Sequence, residues 1–244
     1  GFAELFARKG YDLVLVARDE ERLVALGEAL HTEFGVNSEI LVADLAVRAD
    51  VDRVAGRLAD PDRPISALVN NAGFGLLTSF SRGSVDDEQR LLDVMVTAVM
   101  RLTHAAVPGM VERGTGMVIN VSSVASWITG GTYSAAKSWV TVFSESLATE
   151  LAGSGVRVTA VCPGFVHTEF HSRADIDMSQ LPEWMWVDVH HVVDQAVRDL
   201  ALGRSVSVAG WQYKSLSRVL RHGPRSAVRL AAGARRNPRF GRRD

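Results

Sequence analysis

The chain has 244 residues, 47 % of them hydrophobic, with 21 glycines, seven prolines and one cysteine. This suits one α/β domain with a large core and excludes widespread disorder, and the lone Cys162, which cannot form an internal disulfide, suits a reducing, cytoplasmic compartment. The overall charge of −1 conceals an asymmetry, −10 over residues 1–213 and +9 over residues 214–244, which marks a basic tail on an acidic body.

Short runs rich in Val, Ile and Leu alternate with longer helical stretches, the signature of βαβ units around a parallel sheet. The chain opens in a helix, Phe2–Lys9. A strand Asp12–Ala17, a helix Glu20–Glu33, a strand Ile40–Ala43, a helix Ala49–Ala59 and a strand Ile65–Val69 are predicted to follow. The second half predicts helix Asp87–Glu112, strand Met117–Val121, helix Tyr133–Leu151, strand Val156–Val161, helix Val189–Leu202 and a weaker strand Val206–Ala209. Pro108-Gly109 is expected to kink or end the long helix. Leu91–Met110 is strongly apolar, but Asp93, Arg101 and His104 interrupt it, so a buried or interface helix is expected rather than a membrane span. This order gives one doubly wound, Rossmann-type α/β domain over residues 1–213, followed by the tail 214–244. Sheets of that kind start with a strand and a glycine-rich turn that holds a pyrophosphate. Neither precedes Phe2 in this sequence.

Three motifs carry chemistry. Tyr133-Ser134-Ala135-Ala136-Lys137 sets a phenol and an ammonium four residues apart, on one face of a helix. A cation beside a phenol stabilises the phenolate and draws its pKa toward the range of a general acid/base. Ser122-Ser123 ends a strand ten residues earlier, where α/β sheets place ligand contacts; its hydroxyl can hold a substrate oxygen, or serve as a helix cap. Asn70-Asn71-Ala72-Gly73 follows the strand Ile65–Val69, and its small residues and amides let a flat ring approach the backbone, or form a plain turn.

With these three motifs in this order, the sequence resembles the compact branch of the short-chain dehydrogenase/reductase family from Gly1 to about Gly210. The resemblance implies an oxidoreductase that interconverts a carbonyl and an alcohol with NADP(H). It implies Tyr133 as catalytic acid/base, Ser123 as the group that orients substrate, and Lys137 as the residue that tunes Tyr133 and bonds the nicotinamide ribose. Cofactor contacts are implied at Asn71, Ala72 and Gly73, at Asp44-Leu45 beside the adenine, and at Pro163, Gly164, Val166 and Thr168 beside the nicotinamide. The family also implies a homodimer or homotetramer, and a central strand and Gly-rich turn about a dozen to twenty residues long just upstream of Gly1.

Cofactor choice turns on the end of the strand Asp12–Ala17. Ala17 offers no carboxylate to the ribose hydroxyls of NAD, whereas Arg18 can pair bidentately with a 2′-phosphate, unless solvent or Asp19 takes it. NADP(H) is therefore expected. Two departures from the family stand out: Met95 occupies the slot where a relay Asn is usual, and the loop Val124–Thr132 is short. The stretch Phe165–Val189, where the family builds its substrate lid, holds Phe165, Phe170, Leu181, Trp184, Met185 and Trp186. These suit a large apolar substrate, or equally pack the lid onto the domain. His167 and His171 lack a third ligand at metal spacing, so no metal is expected. The tail mixes Leu216, Val219, Leu220, Val228 and Leu230 with ten Lys and Arg, a pattern for peripheral contact with an anionic membrane, and no nucleic-acid motif accompanies it. A non-redox NADP-binding sensor on the same fold is the rival reading; turnover of the cofactor discriminates.

Overall fold

The computed structural model describes residues 1–76, 78–167, 182–223 and 226. Strands and helices alternate: α1 (Phe2–Arg8), β1 (Leu13–Ala17), α2 (Glu20–Phe34), β2 (Ser38–Val42), α3 (Arg48–Leu58) and β3 (Ala67–Asn70). After them come α4 (Val85–Leu92), α5 (Ala98–Glu112), β4 (Gly116–Val121), α6 (Thr132–Glu150) and β5 (Val156–Val161). The last part holds β6 (Phe165–Val166), β7 (Trp186–Val187), α7 (Val189–Ala201), β8 (Val206–Ser207) and α8 (Trp211–His222).

All described strand pairs are parallel, as the alternation requires. The sheet, however, comes in two main parts rather than one continuous run. β1 pairs with β2, while β3, β4, β5 and β8 form a four-stranded sheet in that order, and β6 and β7 make a two-residue pair of their own. No described strand bridges β1 and β3. The two parts are joined through the core, where Val16 and Leu41 pack onto the cluster that holds Leu68 and Val118.

The four-stranded part has both faces covered, which is why its strands read as continuous apolar runs. Val118 and Ile119 are both fully buried, yet they point to opposite sides of the pleat. Val118 joins Ala98, Leu102, Ala106 and Met110 of α5, with Val51 and Val54 of α3. Ile119 joins Val192, Val193, Ala196 and Leu200 of α7, with Leu5 and Phe6 of α1.

The long helix expected over Asp87–Glu112 departs from the expectation in two ways. It is broken by a π-turn at Asp93–Thr97, with Met95 at its centre and 1 % exposed. Such one-turn widenings concentrate at functional sites, and apolar spacing does not reveal them. Pro108, expected to kink or end the helix, does not end it: α5 runs on to Glu112. Both Pro108 and His104, whose carbonyl loses its helical donor, lie on the exposed face, so the freed carbonyl is left on the solvent side. The combined helical run Val85–Glu112 is long and apolar enough to span a membrane by composition. Its apolar side, including Leu91, Leu102 and Met110, is spent on the core.

The expected border between body and tail at 213/214 falls inside α8. Tyr213 is 2 % exposed, and Ser217 is also buried. Arg221 reaches Glu145 of α6 at 2.7 Å and lies over the Trp127 ring, 5.5 Å from its centroid. The first part of the tail is thus docked on the body; residues 227–244 lie outside the described residues.

Candidate active site

The carboxyl ends of β3, β4 and β5 gather most of the residues that the sequence singles out, and a buried polar lattice fixes them. Asn70, the last residue of β3, donates to Thr103 on α5 at 3.1 Å and to the Asn120 side chain on β4 at 2.8 Å. Asn120 in turn donates to Ser144 of α6 at 2.9 Å. Asn120 and Ser144 are fully buried, so each of these bonds is expensive to leave unmade. Ser122 locks the next layer: its hydroxyl donates to the Lys137 carbonyl at 2.8 Å and meets the Thr141 hydroxyl at 2.7 Å.

Ser123 follows β4 and starts a short 3₁₀ turn, Val124–Trp127. Its hydroxyl accepts from the Ala125 amide at 3.1 Å and is hydrogen-bonded to the Tyr133 phenol. The cap reading is seen directly, and the same bond fixes the hydroxyl beside Tyr133. Burial pushes the Tyr133 phenol up from its ordinary value, and the Ser123 bond opposes this. Lys137, one helical turn on, is 5 % exposed. Its Nζ donates to the Val121 carbonyl at 2.7 Å and stands 5.8 Å from the centre of the Tyr133 ring. Burial draws its pKa down to about 8, with the nearby Cys162 thiol acting the other way. The expected lowering of the Tyr133 pKa by this ammonium is therefore not met in this arrangement. Burial dominates the phenol, and the ammonium is committed to a backbone carbonyl.

The Asn71-Ala72-Gly73 turn lies directly over this pair. A Cβ added at Gly73 would stand 3.5 Å from Lys137 Nζ and 3.6 Å from Met95 Cγ. Met95, in the relay position, packs with Leu91, Val94 and Ala136, against Tyr133, Phe74 and Leu45. It contributes a thioether where a hydrogen-bonding side chain was the family expectation.

On the third strand, Pro163 accepts the Val124 amide at 3.0 Å, which seats the Pro163-Gly164 turn beside Ser123. Gly164 has its own packing reason: a Cβ there would come within 2.0 Å of the Tyr213 ring. The Tyr213 hydroxyl accepts from the Phe165 amide at 3.1 Å and donates to the Met185 carbonyl at 2.7 Å. Val166 is buried and sits opposite Val187. Thr168 lies outside the described residues, as do Phe170, His171 and Leu181. Within the described part of the expected lid, Trp186 stacks on His167 at 4.2 Å and Trp184 is 61 % exposed.

Arg18 and Asp44 sit apart from this cluster, past the ends of β1 and β2. Arg18 is exposed and close enough to Asp44 to lower its pKa. Burial raises the Asp44 pKa, but the Ala46 amide, Arg90 and Arg18 together hold it below the ordinary carboxylate value. The Arg90 guanidinium lies 2.6 Å from Asp44 and the Ala46 amide 3.0 Å. Leu45 turns inward onto the Met95 cluster. These features fit NADP(H): an exposed arginine beside a carboxylate without free charge, and an open glycine turn above Lys137. Sequence reasoning did not find Arg90, Thr103, Thr141 or Tyr213. Asn120, inside an otherwise apolar strand, was the available signal for the buried lattice.

Comparison with known proteins agrees with this geometry. The profile of the short chain dehydrogenases matches residues 1–178. An NADP-dependent 3-hydroxy acid dehydrogenase of Salmonella typhi is 39 % identical over 181 residues, covering 70 % of this chain and 71 % of its own. A sulfoacetaldehyde reductase of Chromohalobacter salexigens is 36 % identical, covering 69 % and 68 % respectively. Among solved structures, a short-chain dehydrogenase of Sphingobium yanoikuyae in complex with NADPH superposes with a TM-score of 0.83 at 34 % identity, covering all of this chain and 92 % of that one. A bulky-bulky ketone specific alcohol dehydrogenase of Comamonas testosteroni gives 0.77 at 28 % identity, covering all of this chain and 91 % of its own.

Proposed function

Because the chain belongs to the short-chain dehydrogenase family and is an NADP-dependent oxidoreductase that interconverts a carbonyl and an alcohol, we propose that Tyr133, Ser123 and Lys137 carry that reaction. The observation that supports this most is the Ser123–Tyr133 hydrogen bond with Lys137 Nζ 5.8 Å from the same ring. Reduced NADP supplies the hydride when bound. In this reading the Tyr133 hydroxyl gives its proton to the carbonyl oxygen, and takes one back from the alcohol in the reverse direction. Ser123, held by its cap bond, places that oxygen within reach of the phenol. Lys137 keeps a positive charge beside the site and bonds the nicotinamide ribose.

Arg18 would hold the 2′-phosphate, Asn71, Ala72 and Gly73 the ring and ribose approaching from above, and Asp44 and Leu45 the adenine. Pro163, Gly164, Val166 and Thr168 would face the nicotinamide. A large, mainly apolar carbonyl compound suits Phe165 and Trp186, although their packing on Tyr213 and His167 shows that they also support the fold. The test is NADPH oxidation at 340 nm across a set of ketones and aldehydes. Tight NADPH binding without turnover of any of them would favour the rival reading of a non-redox sensor.

Two finer points belong to the same proposal. Exposed Val142 on α6, and Met100 and Val111 on α5, offer apolar surface for a homodimer or homotetramer, which sedimentation would reveal. On α8, Trp211 is 75 % and Val219 67 % exposed, beside Lys214 and Arg218. That combination supports salt-sensitive contact of a cytoplasmic enzyme with anionic lipid. Equal co-sedimentation of the full chain with anionic and with neutral vesicles would remove the idea.

A further inference from the structure

Among the described residues, Asp199 and Glu88 are buried carboxylates that the mechanism does not use; Asp199 is held by Arg204 and Ser207, whereas Glu88 is not so satisfied. Glu88 lies on α4 and is only 7 % exposed, and its Oε2 has no hydrogen-bond partner among the described residues. The neighbouring acids of this first turn, Asp86 and Asp87, are exposed and solvated, so Glu88 is the one that the fold turns inward. Capping does not explain it, because Ser84 caps α4 through the Asp86 amide. Desolvating a carboxylate oxygen without a donor costs free energy, and such orphans persist where a ligand completes them.

The position of Glu88 indicates which ligand. It lines a crevice of about 50 Å³ together with Tyr133, Gly131, Thr132, Leu76 and Phe80. One water needs roughly 10–15 Å³ of such space, so the crevice holds a small group of a few heavy atoms rather than a whole molecule. Tyr133 is the proposed proton donor to the reacting oxygen. A group in this crevice would lie beside the Tyr133 side chain and can therefore belong to the same substrate. Leu76 and Phe80 add apolar surface and Thr78 and Thr132 add hydroxyls, so the wall accepts a small polar group, and a charge-assisted bond to the carboxylate would be the strongest contact available there.

We propose that Glu88 is a specificity residue that accepts a hydrogen bond from an N–H or O–H donor on the substrate, an ammonium in preference to a hydroxyl. The inference rests on the assignment of Tyr133 to the reacting centre, and it adds a charged anchor to that pocket.

Three near-isosteric secondary alcohols separate the possibilities: 4-amino-2-butanol, 1,3-butanediol and 2-pentanol, which differ only in the terminal amine, hydroxyl or methyl. Oxidation of each with NADP⁺ is followed at 340 nm for the full chain, for Glu88→Gln and for Glu88→Leu. The unaltered chain is expected to prefer the amino alcohol over 2-pentanol by about ten- to a hundred-fold in kcat/KM, with the diol between. Glu88→Gln, which keeps shape and acceptor but loses charge, should erase most of the preference for the amine and keep that for the diol. Glu88→Leu should abolish both preferences, and an NADPH affinity like that of the unaltered chain shows that the fold is intact. Turnover of all three alcohols with ratios unmoved by either substitution overturns the role of Glu88 and leaves the catalytic assignment standing. Turnover of none of them by the unaltered chain overturns both.

Discussion

The two parts of the sheet treat their functional residues differently. At the end of the four-stranded part, Ser123, Tyr133 and Lys137 are held from below by Asn70, Asn120, Ser122, Thr141 and Ser144, in bonds that span four elements. At the end of the two-stranded part, Arg18 is exposed, and Asp44 is positioned by Arg90 and one backbone amide near the surface. Buried bonds in a low-dielectric interior fix geometry within a narrow range, while exposed ion pairs contribute little and are screened by salt. The first region is built for placing a proton. The second is built for attracting and discriminating an anion, where reach and charge matter more than rigidity.

The sharpest way to break this contrast is Tyr133→Phe. The ring still fills its place between Met95 and Ala136, so fold and NADPH affinity should be retained while the proton donor is gone. Turnover is expected to fall by about 10² or more, measured as kcat at 340 nm alongside NADPH binding by fluorescence. Near-normal turnover would remove Tyr133 from the chemistry.

Lys137 sharpens the same region through pH. Burial draws its pKa in the folded chain down to about 8 from the ordinary 10.5 of an exposed lysine. Below pH 8 both states carry the proton, and the folded state bears the full cost of a buried ammonium. Between about pH 8 and 10.5 the unfolded chain binds more protons than the folded one, so stability rises with pH. Relative to Lys137→Met, the unaltered chain should gain roughly 2 kcal/mol between pH 7.5 and 9.5, read from urea midpoints. Cys162 is present in both forms, and its own titration largely cancels in the difference. A difference that stays flat over this range would mean that Lys137 keeps its charge when buried.

For the two-stranded part, Arg18→Asp should leave kcat with a good substrate nearly unchanged and shift the NADPH/NADH preference. Loss of a charge-assisted contact, with a repelling carboxylate in its place, is worth about ten- to a hundred-fold in relative affinity. The effect should shrink as salt rises, as the exposure of Arg18 requires. An unchanged ratio would mean that another residue reads the phosphate.

The same contrast explains what the sequence made legible. Buried parallel strands announce themselves as apolar runs: Val156–Val161 was expected at the bounds observed, and Met117–Val121 is short by one residue. Motifs at strand ends were legible because their order along the chain is fixed by the fold. The π-turn at Met95 was not, since it conserves the apolar spacing and changes only the hydrogen-bond ladder. The break between β1 and β3 falls where the family resemblance implies a central strand upstream of Gly1, so it was legible from the motifs taken together rather than from any one segment. Glu88 was hidden for a simpler reason. In the run Asp86-Asp87-Glu88 nothing in the sequence says which acid faces inward.

The smallest expected effect concerns α8, inside which the basic tail begins by sequence. Arg221 is bound at both ends of its guanidinium, to Glu145 at 2.7 Å and over the Trp127 ring at 5.5 Å. Its side chain is 37 % exposed, as is that of Glu145 at 36 %, so solvent discounts the ion pair, and the cation–π contact adds a similar amount. Arg221→Ala should therefore lower stability by about 1 kcal/mol or less, visible as a small shift in the urea midpoint with the slope unchanged. The informative comparison is with Tyr213→Phe, which removes the acceptor of the Phe165 amide and the donor to Met185 on the same helix. Loss of these two partly buried hydrogen bonds should cost about 1–3 kcal/mol. If α8 is an integral wall of the lid, Tyr213→Phe must exceed Arg221→Ala and also raise KM, because the hydroxyl that ties the Phe165 amide to the Met185 carbonyl is gone. Equal and negligible effects from both would return α8 to the tail and leave the lid to be supported by β6 and β7 alone.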